Sequence, residues 1–73
     1  MRDGRFDGTA FRARREALGQ TRSACAIKAN LSESFIKAVE LGKSEPGDNN
    51  AAALAAAVDL DLADLTLPKL PPD

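Results

Sequence analysis

The segment TRSACAIKANLSESFIKAVELGK, residues 21–43, confines this chain to a narrow set of folds. Thr21 is an N-cap candidate, because its hydroxyl can accept an orphan amide at the start of a helix reaching about Ala29. The inward positions of that helix are Cys25, Ala26 and Ala29. All are small, so the helix must lie close against a neighbour. Asn30 tolerates the left-handed backbone of a sharp turn, and Leu31 plugs the turn into the core. Ser32 caps the next helix, where Phe35 or Ile36 and Val39 mark the buried side and Gly42 ends the run. Two short helices joined by a tight polar turn follow from spacing and caps alone.

The flanking sequence extends this pattern. Residues 1–8 hold two glycines and four charges without periodicity and read as a flexible N-terminal arm. Thr9 can cap a first helix to about Leu18, with Phe11, Arg14 or Arg15, and Leu18 on one face. Gly19 stops it. Ser44 to Gly47 is a loop punctuated by Pro46. Gly47 or Asp48 opens a fourth helix through AAALAAAV, ending near Asp59. Asp61 can cap a brief fifth helix, LADLT. The tail, residues 67–73, has three prolines and cannot be helical. The expectation is an all-α fold of five short helices over residues 9–66, with no strand. Its core draws on Phe6, Phe11, Leu18, Leu31, Phe35, Ile36, Val39, Leu54, Val58, Leu60, Leu62 and Leu65.

At 73 residues there is room for one small domain. Apolar residues make up 44% of the chain, but alanine supplies much of that, so each contributes little burial. With no histidine and one cysteine, a zinc site, an internal disulfide and a catalytic constellation all lack the residues they need. No cofactor is expected. A lone Cys25 fits a reducing cytoplasm. No apolar run approaches the roughly 20 residues of a membrane span, and the start has no apolar signal-peptide region. The net charge of −1 conceals an asymmetry. Residues 1–43 carry nine Lys or Arg against five acids, whereas residues 44–73 carry one against six. A basic half points to a polyanion-facing surface, although a solvated charged face gives similar counts.

Gly19, Thr21-Arg22, Cys25-Ala26, Asn30, Ser32, Ile36, Val39, Glu40, Gly42-Lys43 and Pro46 together resemble the Cro and phage-repressor (XRE-type) helix-turn-helix family. Leu54, Ala57, Leu60, Leu62 and Leu65 continue the register. The resemblance covers about Arg14 to Leu65, and Ser32 to Pro46 is its specific part. It implies a lambda-repressor-like DNA-binding domain with the helix-turn-helix at helices 2 and 3. It also implies a salt bridge between Arg15 of helix 1 and Glu40 of helix 3.

Candidate DNA-binding residues follow from the same register: Thr21, Arg22, Ser32, Glu33, Ser34, Phe35, Lys37 and Lys43. Arg22 replaces the family's usual glutamine near the DNA backbone, where an arginine suits phosphate or simply solvates the surface. Glu33 can accept from cytosine or favour the positive end of the helix dipole. Ser34 can serve either kind of base and so specifies little. Lys37 can reach phosphate or guanine. Ala38 offers only a methyl, Phe35 suits packing at the core edge, and Lys43 matches a loop position that meets the backbone. Arg12 and Arg14 extend the basic surface or are merely solvated. A reading surface poor in Gln, Asn and Arg, with an acid in it, departs from the family.

The expectation is a repressor-type regulator that binds double-stranded DNA at a palindromic operator as a homodimer. Leu60, Leu62, Leu65, Leu67 and Leu70 offer a dimer surface if they do not all close the monomer core. The other expectation is a protein-interaction module, such as an antitoxin or anti-regulator, that meets a protein partner through the acidic half or the LPKLPPD tail.

Overall fold

The computed structural model describes residues 4–67. Strand β1 (Arg5–Phe6) leads into helices α1 (Gly8–Ala17), α2 (Arg22–Ala29), α3 (Glu33–Glu40) and α4 (Asp48–Ala57). A 3-10 turn (Leu62–Leu65) and strand β2 (Thr66–Leu67) follow. The two strands pair antiparallel, Arg5 opposite Leu67 and Phe6 opposite Thr66.

The starts of α1, α2 and α3 are set by side-chain caps, whereas α4 opens at Gly47 without one. Thr21 Oγ1 accepts from Ala24 N at 3.0 Å, and Ser32 Oγ accepts from Phe35 N at 3.1 Å. The first helix is the exception to expectation. Asp7, not Thr9, caps it, with Oδ1 accepting from Ala10 N at 2.9 Å. The cause is tertiary: Asp7 N donates to Leu65 O at 2.6 Å, which fixes where the extended chain stops and the helix begins.

The four α-helices among the described residues stop in one way. Gly19, Asn30, Gly42 and Asp59 have positive φ, and the next amide reaches back five residues to a helix carbonyl. These bonds are Gln20 to Arg15, Leu31 to Ala26, Lys43 to Ala38 and Leu60 to Ala55, at 2.8–3.0 Å. Each satisfies a carbonyl that the helix end leaves orphaned. Asp59 is the costly member, because a Cβ is strained in this conformation and a carboxylate opposes the dipole at a helix C-terminus.

The core places Phe11, Ile36, Leu54, Val58, Leu65 and Cys25 out of solvent. Phe6 and Phe11 meet as a tilted pair with centroids 5.9 Å apart. Helix α2 packs on both α3 and α4 through Cys25, Ala26 and Ala29, which lets the three backbones approach closely. The N-terminus of α1 comes equally close to the end of α3. A Cβ on Gly8 would run into the Val39 carbonyl.

Three expectations are corrected here. The fifth helix is a 3-10 turn: four residues cannot close a stable α-turn once Asp64 accepts from Asp61 N at 3.1 Å and Thr66 Oγ1 donates to Leu62 O at 2.7 Å. Arg5 and Phe6, read as part of a loose arm, form a strand, which two residues are too few to announce by alternation. Leu18 is 38% exposed and lies outside the core, because α1 ends at Ala17 and Gly19 turns the chain away. Leu70 and most of the proline-rich tail lie outside the described residues.

Three stability effects follow. Asp59→Gly should raise the unfolding free energy read from urea titration, by up to about 1 kcal/mol, by removing strain and an unfavourable charge together. Gly8→Ala should lower it by about 1–3 kcal/mol through overpacking. Burial also pushes the Cys25 thiol above its usual value, so the folded state favours the neutral thiol. That contribution is complete below the ordinary thiol value and fades as pH rises through the raised one. Melting curves across alkaline pH should therefore fall less steeply for Cys25→Ala.

Candidate nucleic-acid interface

Helix α3 divides its residues cleanly. Ile36, Val39 and Glu40 are buried, whereas Glu33, Ser34 and Lys37 are exposed with Ser32 at their head. Phe35 lies between the two faces, half-buried against the core, so it leans inward as its chemistry suggested. Ala38 is also half-buried. The outward stripe therefore presents hydroxyls, one carboxylate and one ammonium.

A basic residue stands at each end of the motif. Lys43 is exposed just past α3, where Gly42 turns the chain and Lys43 N binds Ala38 O at 2.8 Å. Arg22 opens α2, next to the exposed cap Thr21. Its side chain is not simply solvated. Arg22 Nε donates to Glu40 Oε1 at 2.9 Å, and its terminal nitrogens have no protein partner among the described residues.

Glu40 is the centre of this region. Its side chain is fully enclosed. Arg15 Nε donates to Oε2 at 2.7 Å and Arg15 Nη2 to Oε1 at 3.2 Å, while Arg15 Nη1 donates to Gln20 O at 2.8 Å. The Arg15 side chain is 8% exposed and that of Arg22 is 30% exposed. The hydrogen bonds that Arg15 donates to Glu40 raise the Arg15 pKa above its already high ordinary value. Two arginines against one carboxylate leave an excess positive charge, and it lies toward solvent at Arg22.

The Arg15–Glu40 bridge is as the resemblance implied; the third member was not expected. Gln20 joins this network twice: its carbonyl accepts from Arg15, and its side-chain Oε1 accepts from the Cys25 thiol at 2.8 Å. Arg14 is tied inward rather than added to the basic surface, with Nε donating to Val58 O at 3.0 Å. None of these bonds has a local sequence signal.

Comparison with solved structures places this geometry. The crystal structure of the restriction-modification controller protein C.AhdI from Aeromonas hydrophila superposes with a TM-score of 0.75 and 28% identity. The match covers 78% of this chain and 86% of that one. The solution structure of the DNA-binding domain of the P22 C2 repressor gives a TM-score of 0.76 and 26% identity over 85% of this chain and 82% of that one. The fold is that of a Cro- and repressor-type helix-turn-helix domain. No protein-family model matches the chain, and no curated protein matches it by sequence.

Within the helix-turn-helix domain, α2 and α3 form the motif itself, with Asn30 as its left-handed turn. Among the described residues no cluster of three His, Cys, Asp or Glu side chains could hold a metal ion. No described helix is long and apolar enough to cross a membrane.

The charge triad makes a distinct prediction for unfolding. Glu40→Ala should cost about 3–5 kcal/mol, because it leaves the buried Arg15 without its counter-charge. Arg22→Ala removes a half-exposed partner from a carboxylate that Arg15 still satisfies, and should cost less than about 1 kcal/mol. Urea titrations of the two variants measure the contrast.

Proposed function

We propose that this protein is a DNA-binding transcriptional regulator of repressor type, acting as a dimer on a palindromic operator. The observation that carries the reading is the exposed stripe of α3, Glu33, Ser34 and Lys37, set between Arg22 and Lys43. A helix bearing short polar side chains fits the major groove, and cations at its flanks fit the strands on either side. The likeness to a repressor's DNA-binding domain supports the same reading.

Each side chain then has a role. Arg22 directs its two free terminal nitrogens at a phosphate while Nε stays on Glu40, and Lys43 meets the other strand. Ser34 and Lys37 approach base edges, and Glu33 accepts from a cytosine amine. The capping hydroxyls of Thr21 and Ser32 can donate to phosphate oxygens while still accepting their backbone amides. Phe35 holds α3 against the core and sets its pitch. One protomer offers few phosphate contacts; a dimer doubles them and matches half-sites about one helical turn apart. Leu60, Leu62 and Leu67 are half-buried at the carboxyl end and supply apolar surface for pairing.

A second reading is favoured by one feature. Asp59, Asp61 and Asp64 are all exposed on the same short stretch, and such an acidic end suits a basic protein partner better than DNA.

The decisive measurement is fluorescence anisotropy with the DNA upstream of the protein's own gene, over a series of salt concentrations. Affinity should fall linearly on logarithmic axes. Arg22→Ala and Lys43→Ala should each flatten the slope by about 0.9 per phosphate lost, counted for both protomers of a dimer. Tight capture of a protein partner with no salt-sensitive DNA binding would overturn the regulator reading in favour of the interaction module.

A further inference from the structure

The carboxyl end of α3 runs into an open cleft of about 400 Å³ between β1, the start of α1 and the loop after α3. Arg5, Thr9, Leu41, Lys43, Ser44 and Glu45 are among its lining residues. Leu41 is 50% exposed, although it is a large apolar side chain. It follows Ser34 and Lys37 at the spacing of one helical face, and its backbone is still helical (φ −85°, ψ −2°). The outward stripe of α3 therefore ends on an exposed leucine inside a cleft. Arg5 and Lys43, both exposed, line the same cleft.

The backbone of Arg5 is fixed in place. Its strand pairs with β2, Phe6 beside it is buried, and Phe6 N donates to Glu45 Oε2 at 2.9 Å. The other carboxylates on the cleft are engaged too. Asp7 caps α1, and Glu40 is enclosed by Arg15 and Arg22. The cleft thus combines two exposed cations on an ordered backbone with an apolar contact between the outward face of α3 and the loop.

We infer that this cleft is an additional contact for the DNA backbone, in which Arg5 joins Lys43 on one strand's phosphates and Leu41 packs on the adjoining sugar. Deoxyribose-phosphate has that pairing of an apolar face and an anion. The paired strand holds the Arg5 backbone before DNA arrives, so binding has only the side chain left to order. The inference rests on the DNA-binding reading above.

The test uses the full chain, the upstream duplex and a random-sequence duplex, with circular dichroism and melting curves to establish that each variant is folded. Arg5→Gln should weaken binding several-fold to both duplexes and flatten the salt slope by about 0.9 per contact. Arg5→Lys should restore most of the slope. Leu41→Ser should weaken binding while leaving the slope unchanged, because no charge is lost. If Arg5→Gln, folded, binds with wild-type affinity and slope while Lys43→Ala is impaired, this inference fails and the regulator reading stands. If the wild-type protein shows no salt-sensitive binding to either duplex, both fail.

Discussion

A single buried carboxylate organises this domain. Glu40 comes from the last turn of α3, and it draws Arg15 from α1 and Arg22 from the first turn of α2 onto its two oxygens. An enclosed carboxylate is tolerable only when its lone pairs are met, so the three helices must keep the orientation that meets them. That orientation holds α3 with Glu33, Ser34 and Lys37 outward and Ile36 and Val39 inward. The polar triad supplies direction; the small side chains of α2 supply proximity. Alanine-rich packing alone is weakly directional, because few of its side chains interlock.

The same triad reaches from the interior to the surface. Arg22 is bound to the interior by one nitrogen and offers the others to solvent, so the residue that closes the charge balance is also the one that, on the proposed function, would meet a phosphate. An arginine can do both through its planar fork, whereas the glutamine usual in this family, or a lysine, lacks a comparable set of donors. This accommodates the chain's departure from the pattern of the family it resembles, and it concentrates positive charge at the helix N-terminus on a protein whose net charge is −1.

Much of the architecture was legible residue by residue. Thr21, Ser32, Asn30 and Gly42 gave the bounds of α2 and α3, because caps and left-handed stops act within about one turn of the chain. Cys25, Ala26 and Ala29 gave the inward face of α2. The exposed stripe of α3 was legible too, since exposure on a short amphipathic helix follows from which positions are apolar. Less visible were Asp59 as a left-handed stop, where a glycine or asparagine is the usual signal, and the 3-10 geometry of LADL, which differs from an α-turn only by hydrogen bonds a few residues apart.

The sequence by itself determined the helix-turn-helix, its caps and the residues placed on its outer face, because those depend on interactions a few residues long. The tertiary structure decided what distant residues do to one another. It paired Arg5 and Phe6 with Thr66 and Leu67, tied Phe6 N to Glu45 across 39 positions, and sent Arg14 to Val58 across 44. It also exposed Leu18 and drew Arg22 onto Glu40, 18 positions away. No local pattern encodes such contacts. They are chosen when the core closes and each buried donor and acceptor must find a partner among whatever groups the packing brings near.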